Sequence, residues 1–260
     1  MLRPSICFVA VCIFLVTGKT QAQELSNTVV YLREGNNYGT GFFVRAKDYY
    51  LVTAEHVANY LRPFSTAVVR GENGSAIKFN LADLTGTSSA SLDWKTHSNS
   101  DVAVLRIQSQ GDAWQKIQAR FVSIDWLAPQ LGTPIRERPV TVMGFPLQLG
   151  TEGNFSRITT EAKTASGLLR LLSPAIKREA IFYVLDKPSI GSFSGGPAIL
   201  LSTPYFKDGS QIIPGPDNPP LFVGLVHGLV ADKNGNGLAL IVPSKFIADV
   251  ILKADDAKKG

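Results

Sequence analysis

The stretch Gly41-Phe-Phe-Val-Arg-Ala-Lys-Asp-Tyr-Tyr-Leu-Val-Thr-Ala-Glu-His56 reads as two short strands around a turn, with a histidine just past the second. Apolar and β-branched residues fill Gly41–Arg45 and Tyr49–Thr53, and Lys47-Asp48 supplies the turn between them. Outward from this hairpin the pattern repeats. Thr28–Arg33, Ala67–Arg70, Ile77–Leu81 and Val102–Ile107 are further short strands, and Gly35–Gly39 is a turn cluster. Leu127–Pro139 carries three prolines and one glycine and reads as a linker.

Beyond the linker a second set follows: Val140–Met143, Ile158–Glu161, Ile181–Leu185, Pro197–Leu201, Phe222–Val226 and Leu238–Val242. Pro243–Leu252 then reads as a helix, with Phe246, Val250 and Ile251 near one face. The fold class is all-β. Two similar halves joined by a linker suggest two barrels, and periodicity alone leaves a pair of sandwiches open. Thr203–Pro220, with five prolines, interrupts the second half as a surface loop, or as a specificity or docking loop. The charged end from Lys253 to Gly260 reads as a solvated tail.

The first 22 residues read as a signal peptide. Arg3 is a short basic region, Ile6–Val16 an uncharged apolar run, and Thr20-Gln21-Ala22 a cleavage site with small residues. The apolar run is too short to span a bilayer, and no second long one follows. Export to a periplasm or medium is therefore expected. Both cysteines, Cys7 and Cys12, lie inside this segment, so the exported chain has no thiol for a disulfide or metal site. An exported protein without disulfides points to a bacterial source. Removal of Arg3 and Lys19 takes the net charge from +5 to +3. No basic run is long enough to bind nucleic acid, and no cofactor motif is present.

Three polar residues stand where chemistry is possible. His56 sits at the corner where a strand ends and a short helix begins. Asp101 opens the strongly apolar run Val102–Leu105, at the edge of a core. Ser194 lies in Gly191-Ser-Phe-Ser-Gly-Gly-Pro-Ala198, where Gly195-Gly196 permits a tight backbone and an outward hydroxyl. Each alone is commonplace. Together they run in the order His, Asp, Ser, one of the known orders for a triad in which serine attacks, histidine transfers protons and aspartate orients the imidazole. His97 reads as a surface-loop residue. His227 follows a strand near a cleft wall, and neither is given a role.

These segments resemble the trypsin-like serine proteases, most closely the bacterial HtrA-like (Deg) branch. Gly39-Thr-Gly41-Phe and Thr53-Ala-Glu-His56-Val look like that family's histidine motif, Asp101-Val-Ala-Val-Leu105 its aspartate motif, and Ser194-Gly-Gly-Pro197 its nucleophile motif. Val142-Met-Gly-Phe-Pro146, Val223–Val226 and Gly237–Ser244 resemble strands and the closing helix of its second half. The PDZ modules of many HtrA-like proteins have no counterpart after that helix.

The resemblance implies two six-stranded antiparallel β-barrels, over residues 23–127 and 128–260, with a C-terminal helix. It implies an endopeptidase acting on protein or peptide substrates through an acyl-enzyme, with His56, Asp101 and Ser194 as triad. The oxyanion donors would be the backbone amides of Ser192 and Ser194, although serine stands at 192 where the family has glycine. Phe193 replaces the aspartate that pairs with a cut N-terminus in zymogens, so activation by that ion pair is not expected. Pro188 would form the base of the primary pocket and Gly224 to Gly228 one wall, favouring small or medium apolar residues. Entry of Asp186 into the pocket would favour basic ones. The alternative function is a weak or inactive protease-like domain that binds peptides or proteins. The resemblance leaves oligomeric state open.

Overall fold

The computed structural model describes residues 25, 27–127, 137–152, 155–189, 191, 193–201, 205–207, 210–212, 220–231, 233 and 237–257. The expected signal peptide, most of the expected linker, Ser192 and most of the proline-rich loop lie outside these.

The first sheet uses β1 (Val29–Glu34), β2 (Asn37–Arg45), β3 (Tyr49–Thr53), β4 (Thr66–Arg70), β5 (Ala76–Asn80), β6 (Lys95–Thr96), β7 (Ala103–Ile107) and β8 (Val122–Ser123). Its order is β5-β4-β1-β2-β3-β7-β6, and β8 joins β2. All pairs are antiparallel except β2 with β8. The quoted hairpin is the middle of this sheet, with Val44 opposite Tyr50 and Gly41 opposite Thr53. Phe42, Phe43 and Val44 are all fully buried. Consecutive strand residues point to opposite faces, so this run is covered on both sides.

The second sheet uses β9 (Pro139–Gly144), β10 (Ile158–Lys163), β11 (Leu169–Ser173), β12 (Arg178–Leu185), β13 (Pro197–Leu200), β16 (Leu221–Ala231) and β17 (Gly237–Pro243). Its order is β10-β9-β13-β16-β17-β12-β11, antiparallel throughout. A separate hairpin, β14 (Tyr205–Lys207) with β15 (Ser210–Ile212), lies within the proline-rich segment. Among the described residues the two sheets carry eight and seven strands, so short strands add to the six expected in each half. Two-residue strands such as β6 and β8 are too short for a hydrophobic period to show, and β11 leaves three of its leucines partly or largely exposed.

Among the described residues four α-helices connect or flank the sheets: α1 (Glu55–Ala58), α2 (Leu81–Thr85), α3 (Gly111–Ile117) and α4 (Ser244–Asp256). Helix α4 runs four residues past the expected end, because Lys253-Ala-Asp-Asp contains no helix breaker. Its last turn is not a solvated tail. Asp255 is 5% exposed and accepts the Tyr50 hydroxyl at 2.6 Å, fastening the helix to β3. Burial, this hydrogen bond and the Asp255 charge together push the Tyr50 hydroxyl well above the ordinary phenol range.

The sheets share one apolar core, in which Phe42 meets Phe222 and Tyr31 meets Phe145, each with ring centroids 5.6 Å apart. A smaller cluster within the second sheet holds Val140, Tyr183, Phe193, Val226 and Ile241. Both clusters end beside the three polar residues singled out by the sequence.

Candidate active site

Strand β3 delivers His56. It runs to Thr53, and the single turn of α1 starts at Glu55, one residue ahead of the histidine. Val57 and Ala58 bury that turn, so the corner is fixed by packing and not by helix propensity, which a single turn cannot supply. Asp101 precedes β7, the neighbour of β3, with Thr53 opposite Ala103. The sheet register therefore sets histidine beside aspartate.

The Asp101 side chain is fully buried. Its Oδ1 accepts the His56 backbone N–H at 3.0 Å, and its Oδ2 lies 2.7 Å from His56 Nδ1. A third donor is present. His227 Nδ1 lies 2.5 Å from the same Oδ2. Burial alone would raise the Asp101 pKa, but hydrogen bonds and charge from His227 and His56 outweigh it and hold the carboxyl well below the usual carboxylate range. An ionised carboxylate can only accept. Both imidazoles must then carry their proton on Nδ1, which leaves Nε2 of His56 as a base. Nε2 of His227 lies 3.4 Å from the Ser173 hydroxyl, which can donate to it.

An arginine braces this corner from the second sheet. Arg178 on β12 forms a forked ion pair with Glu55, through Nη1 to Oε1 at 2.9 Å and through Nη2 to Oε2. It also donates to the backbone carbonyls of His97, Ser98 and Ser100, at 2.9, 3.0 and 3.2 Å. One guanidinium thus holds the residues just before His56 and Asp101.

Ser194 arrives on the loop before β13. Gly195 has φ +84°, and a Cβ there would stand 2.0 Å from the Thr40 carbonyl oxygen. A Cβ on Gly196 would meet the Met143 carbonyl oxygen at 2.2 Å. Only glycine fits either position. Backbone bonds complete the turn: Gly195 N–H donates to the Val226 carbonyl at 2.7 Å, Gly196 N–H to that of Phe193 at 2.8 Å, and Thr40 N–H to that of Ser194 at 2.8 Å. Phe193 is buried in the smaller core cluster.

His227 links the two sides. Its ring reaches Asp101, and its carbonyl accepts the Ser194 hydroxyl at 2.9 Å. Among the described residues that carbonyl, and not His56, is the partner of the Ser194 hydroxyl. From the sequence alone His227 has no assigned role, because nothing in a strand-following histidine names its partner. Arg178 was missed for the same reason. His97 is not on an open surface either. It is 9% exposed and packs on Phe246 of α4, with ring centroids 4.8 Å apart.

The expected pocket residues separate. Gly228 lies beside the nucleophile, where a Cβ would stand 3.9 Å from Ser194 Oγ. Gly224 is inside the sheet opposite Pro243, where a Cβ would meet the Val242 carbonyl at 2.2 Å, so its size serves strand packing. Pro188 is exposed. Asp186 is held at the sheet edge, its carboxylate accepting the Lys163 N–H at 2.7 Å. The oxyanion assignment to Ser192 lies outside the described residues.

His56, Asp101 and His227 also form a group whose potential metal-ligand atoms lie within 4.8 Å of one another. Both Nδ1 protons point at Asp101 Oδ2, so the group is already hydrogen-bonded, and a metal would have to displace those protons.

The family profile described as the trypsin-like peptidase domain matches residues 39–203, a span that includes His56, Asp101 and Ser194 and ends before His227. The chain belongs to the trypsin-like peptidase family. Among solved structures, this peptidase is similar to the inactive form of the Rv3671c protease from M. tuberculosis H37Rv. Identity is 18%, coverage 90% of this chain and 89% of that one, and the TM-score 0.53. It is also similar to the HtrA-type protease AlgW with a decapeptide, at 15% identity, covering 92% and 67%, with a TM-score of 0.50. At such identities the likeness concerns the fold. No curated protein matches the peptidase in sequence. Among the described residues no helix is long and apolar enough to cross a membrane.

Proposed function

We propose that this peptidase is an exported serine endopeptidase acting through an acyl-enzyme on Ser194. One observation supports this reading above others: a buried, ionised Asp101 holds His56 by both its backbone N–H and its Nδ1, leaving Nε2 as the proton acceptor. In the reaction Ser194 Oγ bonds to the scissile carbonyl carbon while His56 Nε2 takes the hydroxyl proton. The tetrahedral intermediate collapses, the C–N bond breaks, and His56 returns the proton to the leaving amine. Water then adds to the acyl-enzyme by the same route and releases the acid. The backbone amides of Ser192 and Ser194 are the proposed oxyanion donors. With Asp186 engaged at the sheet edge, the pocket is expected to favour small or medium apolar residues before the cut. Export rests on the signal-like first 22 residues, and a periplasmic or secreted location follows from it.

The Ser194 hydroxyl on the His227 carbonyl favours a second reading, a weak or inactive domain that binds peptides. Rotation about one side-chain bond moves a serine hydroxyl between staggered positions, so this contact also fits a resting enzyme. Fluorophosphonate labelling distinguishes the readings. The wild type should label and hydrolyse a casein digest, and Ser194→Ala should do neither, with hydrolysis down by roughly 10⁴-fold or more. Peptide binding by a wild type that neither labels nor hydrolyses would establish the second reading.

A further inference from the structure

We propose that His227 is a positioning residue of this site: its Nδ1–H donates to the same Asp101 oxygen that takes His56 Nδ1–H, and so sets how firmly Asp101 holds and stabilises His56. The proposal rests on the protease reading for its catalytic consequence, though not for the hydrogen bond itself.

The geometry leaves His227 little other use. The residue is 7% exposed, so its ring does not stand out to meet a substrate. One face packs on Phe182, with ring centroids 4.7 Å apart, and an edge meets His56 at 5.3 Å and 77°. Ser173 faces Nε2, and Asp101 faces Nδ1. Both ring nitrogens are therefore occupied, and the ring is fixed in one orientation. A buried polar ring with both ends matched specifies a geometry that an apolar side chain of similar size would leave loose.

The chemical effect comes from sharing. A carboxylate oxygen that receives two N–H donors divides its charge between them. When His56 becomes an imidazolium, it leans on that oxygen. His227, neutral and fixed, draws off part of the same charge while holding the carboxylate in place. Removing the His227 donor should make Asp101 a looser but stronger partner for protonated His56. The acid limb of the rate profile should then move to higher pH while the rate at its plateau falls. Among the described residues, Glu55 on α1 and Arg178 on β12 are charged groups beside the pair, and they are bound to each other. Arg178 also interacts electrostatically with Asp101, and this is unchanged by substitution at 227.

The test has two parts on the full chain. Nitrogen-15 NMR of the imidazoles is tractable with three histidines in the sequence. At pH 8 the wild type should show both His56 and His227 protonated on Nδ1. A His227 ring protonated on Nε2 would overturn the proposal. Kinetics then compare His227→Leu, which removes the donor, with His227→Asn, whose amide N–H can stand near Nδ1. The leucine variant should lose roughly tenfold in kcat with KM little changed, the effect of one hydrogen bond to a charged group. Its acid limb should move upward, and asparagine should restore both. Leucine and wild-type profiles that superimpose would also overturn the proposal. If leucine fails to fold, the wild-type tautomer and the asparagine profile still decide. Failure of the protease reading shows separately, as a wild type that neither labels nor hydrolyses, and the tautomer then still tests the His227–Asp101 bond.

Discussion

In the first sheet His56 and Asp101 are held by charge: a buried carboxylate with three donors, and an arginine fork that spans from Glu55 to the carbonyls before Asp101. In the second sheet Ser194 is held by shape: two glycines pressed against backbone oxygens, and a turn closed by backbone hydrogen bonds. Proton transfer needs a fixed electrostatic environment, whereas a nucleophile needs a fixed position. The two halves meet each need with different means, and they should break under different substitutions.

The largest break is expected on the shape side. Gly195→Ala places a Cβ 2.0 Å from the Thr40 carbonyl oxygen and 2.2 Å from Thr53 Oγ1, at φ +84°. The left-handed backbone costs about 1–2 kcal/mol for a residue with a Cβ, and overpacking adds about 1–3 kcal/mol. Labelling of Ser194 should be lost and thermal stability should fall sharply. Gly191→Ala, four residues earlier, meets nothing within 4 Å and should leave stability within about 0.5 kcal/mol of wild type. Equal melting temperatures for the two variants would contradict the idea that shape holds this loop.

Legibility in the sequence divides along the same line. The strands of the quoted hairpin are read correctly because apolar residues fill them and a polar turn separates them. Gly195-Gly196 beside a serine signals a tight turn directly. The charge side is only half legible. His56 and Asp101 come from motifs close to strands, but Arg178 and His227 act across 123 and 126 residues of chain respectively. No local period encodes such a partnership. His97 reads as a surface residue because its contact, Phe246, lies on a helix far along the chain. Asp255 reads as tail for the same reason, since Tyr50 is 205 residues away.

A smaller break is expected on the charge side. Arg178→Ala removes the fork to Glu55 and three donors to the loop before Asp101. Charge-assisted hydrogen bonds contribute about 1.5–3 kcal/mol where they are not fully exposed, so stability should drop by about that range and the rate should fall with it. Arg178→Lys should recover little, because a point charge cannot serve Glu55 and three carbonyls together. Chemical denaturation of the three proteins measures this, and full recovery by lysine would show that charge alone, without the fork, suffices.

The smallest effect concerns acid. Burial depresses the His97 pKa, and Lys253, Lys245 and Arg178 act in the same direction against an opposing contribution from Asp249. Its Nδ1 accepts the Asn99 N–H at 3.1 Å, so the folded state favours the neutral ring. A group whose folded pKa is lowered gives stability that is present above its unfolded value, about 6.5 for histidine. That stability is lost as the pH falls through the folded value. Protonation places a second proton on Nδ1, facing the Asn99 N–H, in the loop that Arg178 braces and that leads into Asp101. Acidification from pH 8 towards 5 should therefore loosen the charge side of the site before the shape side. Hydrogen exchange, once corrected for its intrinsic slowing in acid, should accelerate at Asn99 and Asp101 over this range while the corrected exchange at Gly195 and Gly196 stays constant. In His97→Gln, which has no titrating ring, the acceleration should vanish. Equal acceleration in both proteins would assign the acid response to another group.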